Sequence, residues 1–168
     1  MSLLTEADRA DLALIAYLDG DEWSVRELPD VEYRALSELE SELHHFPEDA
    51  DAFAMMSLYE DFVIIARLDD EGELTVVLSD ITAALNWRLA HSVTEHLGLV
   101  VDEDEDDQVP AGDLRILADL GVSADDLVDL LLDPELYPDE VMGEIADRLG
   151  FGDLFDEYVE EEDEEDEE

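Results

Sequence analysis

The chain has 168 residues, of which 52 are acidic and 7 are basic, so its formal net charge is −45. This length holds one ordinary domain with a short appendage, and a hydrophobic fraction of 46% is enough to form a buried core. Nucleic-acid-binding proteins use Lys and Arg to displace counterions from phosphates, so the charge argues against direct DNA or RNA binding. Because the chain lacks cysteine, it has no disulfides, no thiolate metal sites and no cysteine nucleophile.

The N-terminal part of the sequence predicts a β-hairpin followed by a helix. An apolar run at 12–18 and an alternating segment at 23–28 flank the turn 19–21, whose Asp-Gly pair favours a tight hairpin. Apolar residues then recur at three- and four-residue intervals, at Leu36, Leu39, Leu43 and Phe46. This spacing predicts an amphipathic helix that ends before Pro47.

The same order of elements recurs between residues 62 and 98. Strand-like runs at 62–68 and 74–78 flank a turn that contains Gly72, and Ser79 or Asp80 can cap a second helix. The apolar stripe of this helix comprises Ile81, Ala84, Leu85, Leu89, Val93 and Leu97. The two units predict an α+β fold of order ββαββα, with a four-stranded antiparallel sheet and both helices on one face.

The C-terminal part predicts a small helical segment and a tail. Three short helices follow residue 112; Ser123 is placed to cap the middle one, and the last begins near Pro138 and ends at Gly150. The final residues are almost all acidic, which is typical of a disordered tail. We divide the chain into an α+β domain at 1–100, an acidic linker at 101–112, a helical subdomain at 113–158 and a disordered tail at 159–168.

Two features are candidate partner-binding sites. The first is an unbroken acidic run of Asp102, Glu103, Asp104, Glu105, Asp106 and Asp107. It does not match a calcium-binding loop, because the sixth position lacks the required Gly and the twelfth lacks the bidentate Glu. The second candidate is Tyr137 with Pro138, in a segment whose two prolines fix a turn. A purely structural role of this turn is the alternative interpretation.

The sequence predicts no catalytic residue, no metal site and no cofactor. His91 and His96 are five residues apart and point to different faces of the predicted helix, so they do not form a metal-binding pair. A Gly-rich phosphate loop and a nucleophile elbow are both absent from the sequence. Trp23 and Trp87 suit either an interface or the core. With no apolar segment of membrane-spanning length and no signal-peptide pattern at the start, we expect a cytoplasmic protein.

The second half of the sequence resembles a known family. The segments that carry the resemblance are 78–80 with the Ala-rich stretch that follows, 110–121, 133–140 and 148–152. Over roughly residues 74–158 the chain is similar to the tRNA adenosine deaminase-associated proteins of actinobacteria. This resemblance implies association with the deaminase rather than deaminase activity, since the zinc-binding Pro-Cys-x-x-Cys signature of that enzyme cannot occur without cysteine.

Charge and resemblance together give the leading hypothesis of a non-catalytic acidic adaptor. Its partner would be a basic protein, such as the tRNA adenosine deaminase, for which it could compete with RNA. One alternative is a scaffold or regulatory subunit that associates through a sheet edge or through apolar helix faces. Another alternative is an uncharacterised enzyme, and the acidity itself also fits a halophilic or GC-rich proteome. The sequence leaves the oligomeric state open.

Overall fold

The computed structural model describes residues 12–27, 36–46, 51–58, 62–69, 71–85, 87–102, 104, 109–133 and 135–166. The strands are β1 (Leu12–Asp19), β2 (Glu22–Glu27), β3 (Phe53–Leu58), β4 (Phe62–Leu68), β5 (Leu74–Leu78) and β6 (Ala111–Gly112). The α-helices are α1 (Leu36–Leu43), α2 (Arg88–Leu97), α3 (Ala124–Leu131), α4 (Pro138–Leu149) and α5 (Gly152–Asp166). Two short 3-10 helices span Ile81–Leu85 and Ala118–Leu120.

The strands form one antiparallel sheet in the order β2-β1-β3-β4-β5-β6. Both predicted hairpins are present, β1 with β2 and β4 with β5, and the predicted α+β class is confirmed. The sheet has six strands among the described residues, whereas the sequence predicts four. Strand β3 lies between β1 and β4, and the two-residue strand β6 extends the sheet beyond β5.

Both faces of the sheet are buried, which gives the fold three layers. On one face, the core includes Ile15, Met56, Ile64 and Val76 of the sheet with Leu39, Leu43, Ala90 and Val93 of α1 and α2. On the other face, it includes Leu14, Met55, Val63, Ile65 and Val77 with Leu127, Val141, Ile145 and Phe151 of the C-terminal segment. Helices α1 and α2 therefore share one face, as predicted, and the C-terminal helices cover the other.

The second predicted helix is divided in the structure. Ser79 extends the pairing of β5 with β4, because its N–H donates to the Val63 carbonyl (3.0 Å) and its Oγ accepts from the Val63 N–H (2.8 Å). Asp80 then starts the 3-10 helix Ile81–Leu85, since its Oδ1 accepts from the Thr82 N–H (2.9 Å) and hydroxyl (2.6 Å). The α-helical part, α2, begins only at Arg88. Of the two predicted caps, Asp80 is the one whose side chain caps a helix.

An aromatic cluster joins the C-terminal segment to the sheet. The ring of Trp23 in β2 lies 5.1 Å from that of Phe151 and 6.0 Å from that of Phe53, centroid to centroid. On the opposite face, the ring of Trp87 lies 6.0 Å from that of Phe62. Both tryptophans therefore contact the core, and the structure favours the packing interpretation for them over the interface interpretation.

Helix α5 is fixed to the sheet by Tyr158. The hydroxyl of Tyr158 donates to the Ala13 carbonyl (2.9 Å), next to the last residue pair of β1 with β2, Leu14 with Glu27. Where the sequence predicts a disordered tail from residue 159, the structure continues the helix to Asp166.

Candidate partner-binding site

The acidic run lies in the connection between α2 and β6. Gly98 ends α2 in the left-handed conformation (φ 73°), and the Leu99 N–H donates to the Thr94 carbonyl (2.9 Å). The described chain resumes at Val109, which is exposed and whose carbonyl accepts the Ile81 N–H (2.9 Å). Within the connection, Asp102 and Asp104 are exposed. Glu103, Glu105, Asp106 and Asp107 lie outside the described residues.

At the edge of the sheet, strand β6 connects the layer of α1 and α2 to the layer of the C-terminal helices. Val77 pairs with Gly112 and Leu78 with Ala111, and the Asp113 N–H donates to the Val76 carbonyl (3.1 Å). Gly112 has a φ of 111°, and a Cβ there would overlap with the carbonyl oxygen of Val76. Only glycine allows this close approach of the two backbones.

Arg67 of β4 connects the sheet to the segment before α3. Its Nη1 donates to the Ile116 carbonyl (2.9 Å) and to Asp119 Oδ1 (2.6 Å), and its Nη2 donates to Asp119 Oδ2 (3.0 Å) and Asp51 Oδ1 (3.1 Å). The Arg67 side chain is only 13% exposed. Burial lowers the pKa of Arg67, but the hydrogen bonds and charges of Asp119 and Asp51 outweigh burial and raise the pKa overall. The hydrogen bonds from Arg67 lower the pKa of Asp119.

We expect the Asp119→Ala variant to be less stable than the wild type by about 1 kcal/mol at neutral pH, since the ion pair is partly exposed to solvent. Because folding lowers the pKa of Asp119, its contribution is complete above the unfolded value of about 4 and is lost as the pH falls through the folded value. The difference between variant and wild type should therefore shrink in acid. Urea unfolding across this pH range measures it, with Glu144→Ala, an exposed helical position, as the control. A difference that stays constant down to about pH 2.5 would contradict the assignment.

Tyr137 and Pro138 lie at the start of α4, where the α3–α4 connection ends. Pro138 is the first residue of the helix, and the Tyr137 N–H donates to Glu140 Oε1 (3.2 Å). The Tyr137 side chain is 60% exposed, and Leu132, at the other end of the connection, is 49% exposed. The turn therefore both fixes the helix start and presents an aromatic ring to solvent.

The two predicted features are next in the chain to helices of different layers. The acidic run follows α2, which covers one face of the sheet, whereas Tyr137 precedes α4, which covers the other. Among the described residues, no hydrogen bond or ion pair joins Asp102 or Asp104 to Tyr137 or Pro138. The sequence does not distinguish Leu132 as a site residue, because it lies in the apolar stretch 130–132 and core residues also occur in such stretches.

One histidine of α2 contacts its own helix and the other contacts strand β5. His91 Nε2 lies 3.1 Å from Glu95 Oε1 on the exposed face, and His96 Nε2 lies 2.9 Å from the Leu74 carbonyl at the outer edge of β5. Within the described residues, no group of three His, Asp or Glu side chains could hold a metal ion. The buried polar residues there are Ser57 and Thr94. None of the described helices is long and apolar enough to cross a membrane.

The fold is that of a three-layer α+β protein, and none of the carboxylates whose burial the structure describes is buried. The chain belongs to the Rv3753c-like tRNA adenosine deaminase-associated protein family, whose model matches residues 11–152. It is 34% identical over 122 residues to Protein Rv3753c of Mycobacterium tuberculosis (strain ATCC 25618 / H37Rv), a match that covers 71% of this chain and 70% of that protein. No solved structure matches. The family resemblance predicted from the second half is thus confirmed, and the match extends it to the first hairpin.

Proposed function

We propose that the protein is a non-catalytic accessory protein that binds the tRNA adenosine deaminase through complementary charge. The observation that carries the proposal is the excess of carboxylates, 52 acidic against 7 basic residues in the chain, with few cations to neutralise them. Among the residues whose burial is described, no carboxylate is buried. Two of those cations, Arg67 and Arg148, are already paired with carboxylates of this chain. The surface therefore retains a negative field that attracts a basic partner and accelerates its association.

The family description supports this choice of partner, because it names association with tRNA adenosine deaminase. An enzyme that binds tRNA needs a cationic surface to contact phosphates. A protein with a formal charge of −45 is complementary to such a surface and repels the RNA itself. The two acidic ligands then compete for the same cationic face, and this protein would limit access of the RNA to the enzyme.

A role without catalysis is supported by the positions of the polar groups. General acids and bases are tuned by burial or by a close charged neighbour in a cleft. Among the described residues, the carboxylate with a clearly lowered pKa is Asp119, which holds Arg67 and thereby joins the sheet to the C-terminal segment. Its perturbation is explained by this structural role.

Binding of the tRNA adenosine deaminase from the same organism tests the proposal. We expect saturable binding by isothermal titration calorimetry at about 50 mM salt and a loss of affinity of at least tenfold by about 300 mM, because salt screens exposed charges. Added tRNA should displace the protein. Absence of binding at low salt, or an affinity that is independent of salt, would overturn the charge-based mechanism.

For the scaffold alternative, the structure favours association through a sheet edge over association through apolar helix faces. The apolar faces of α3, α4 and α5 are covered by the sheet. Among the described residues, no strand pairs with the outer edge of β2, which is therefore the candidate site for strand addition. A variant that lacks residues 160–168 and carries Asn and Gln at 102–107 separates the two mechanisms. It should bind the deaminase more weakly under the charge mechanism and unchanged under strand addition.

A further inference from the structure

Two large apolar side chains of the C-terminal layer face solvent at the ends of one connection. Leu132 follows α3 and is 49% exposed, and Tyr137 precedes α4 and is 60% exposed. We name this pair the Leu132–Tyr137 surface. Their neighbours Leu131 and Leu136 pack against the core, so the connection turns one apolar side chain inward and one outward at each end. Outward aromatic and aliphatic groups on an otherwise polar surface are typical of interaction sites.

The connection is held by its own hydrogen bonds. The Leu132 N–H donates to the Val128 carbonyl (3.0 Å), the Leu136 N–H to the Asp133 carbonyl (3.2 Å) and the Glu135 N–H to Asp133 Oδ1 (2.9 Å). With the Tyr137 N–H bonded to Glu140, both Leu132 and Tyr137 are held by a backbone hydrogen bond. Binding of a partner here would require little further ordering of this protein's backbone, and the smaller entropy cost favours affinity.

Carboxylates that have no cationic partner among the described residues flank Leu132 and Tyr137 in the sequence. The neighbouring acidic residues are Asp129, Asp133, Glu135, Asp139 and Glu140. No Lys, Arg or His occurs between Arg115 and Arg148 in the sequence. Of these two, Arg148 pairs with Asp126 (3.4 Å), and among the described residues none of the five carboxylates forms an ion pair. Leu132 and Tyr137 thus lie in a segment of five carboxylates, here called the rim, that no cation among the described residues neutralises.

We infer that the Leu132–Tyr137 surface binds a basic amphipathic segment of a protein partner. An aliphatic side chain of the segment packs on Leu132, an Arg guanidinium stacks on the exposed Tyr137 ring, and further Arg or Lys side chains pair with the rim. Leu132 and Tyr137 are five residues apart, so their Cα atoms are at most about 18 Å from each other. A 12-residue helix is also about 18 Å long, so a segment of this length can contact both residues. This inference rests on the proposed function and specifies its surface.

The test uses the full chain labelled with ¹⁵N and two synthetic 12-residue peptides of equal positive charge. One combines Arg with Leu, and the other combines Arg with Gly. We expect the Arg–Leu peptide to shift the backbone amides of residues 129–140 and to bind about tenfold more tightly than the Arg–Gly peptide. The double variant Leu132→Gln, Tyr137→Ser should remove this preference. Because Ser is a favoured residue before a helix, the variant should remain folded.

The controls separate the surface from general acidity. Tyr137→Phe keeps the ring and should bind like the wild type, and Val100→Ser, at a 93% exposed apolar residue next to α2, should also have no effect. Equal binding of both peptides, shifts spread over the whole acidic surface, or a double variant that binds unchanged would overturn the inference. The peptide experiment tests the inference whether or not the deaminase binds. A failure of the proposed function can therefore be distinguished from a failure of the inference. If the deaminase binds, the double variant should weaken that complex as well.

Discussion

The Gly112→Ala variant should lose about 3 kcal/mol or more of its free energy of unfolding. A methyl group at this position would overlap with the backbone oxygen of Val76, and the φ of 111° is itself unfavourable for alanine. Backbone atoms inside a sheet cannot move away as a flexible side chain can. Strand β6 must therefore separate from β5, and its pairing with Val77 and Leu78 is lost. Urea unfolding at neutral pH measures the change.

Gly72→Ala is the matched control for this variant. Gly72 also has a positive φ (81°), but no atom lies within 4 Å of an added Cβ. We expect a loss of about 1 kcal/mol there, from backbone strain alone. The difference between the two variants isolates the contact of β6 with β5. Equal losses would show that the close approach of the two strands contributes nothing.

The Phe151→Ala variant should lose about 3–5 kcal/mol, the usual cost of removing a buried phenylalanine. Phe151 is 1% exposed, and its ring lies 6.1 Å from that of Phe53 and 5.1 Å from that of Trp23. The cavity would lie between the C-terminal segment and the sheet, where the two parts of the chain meet. Thermal or chemical unfolding gives the size of the loss.

Tryptophan fluorescence locates the effect of Phe151→Ala. The chain has two tryptophans, and Trp87→Phe leaves Trp23 as the only one. In that background, loss of the Phe151 ring should shift the Trp23 emission to longer wavelength, because water reaches the indole. Phe46→Ala is the comparison, since Phe46 packs on Tyr17 in the other layer (4.9 Å) and should leave the Trp23 emission unchanged. Unchanged emission in both variants would contradict the proposed contact.

Local signals in the sequence predicted the elements that depend on local chemistry. Both hairpins follow from turn residues between apolar runs, and Gly20 and Gly72 indeed have positive φ values. The cap of α3 is confirmed, since Ser123 Oγ accepts the Asp126 N–H (3.2 Å). Pro138 begins α4 and Gly150 ends it, as expected. In each case, a single residue or pair determines the local backbone.

The elements that the sequence missed depend on distant contacts. Strand β3 reads Phe-Ala-Met-Met-Ser-Leu and contains no β-branched residue. It also lacks alternation of polar and apolar residues, because residues 53–57 are buried on one face of the sheet or the other. Strand β6 has two residues, too few for any periodic pattern, and exists only by pairing with β5. The candidate site also combines local and distant effects. The prolines indicated a turn at Tyr137, which is a local effect. The exposure of Leu132 depends on which side of α3 packs against the sheet.

Burial of the sheet on both faces has a consequence for the order in which the protein forms during translation. Strands β1 to β5 leave the ribosome before α3, α4 and α5 exist. The sheet face that carries Leu14, Val63 and Ile65 then has no cover, although α1 and α2 can already protect the other. Nascent chains in this state expose an apolar sheet surface that could associate with other chains. The dense negative charge of the chain would keep such intermediates apart until the last helices arrive.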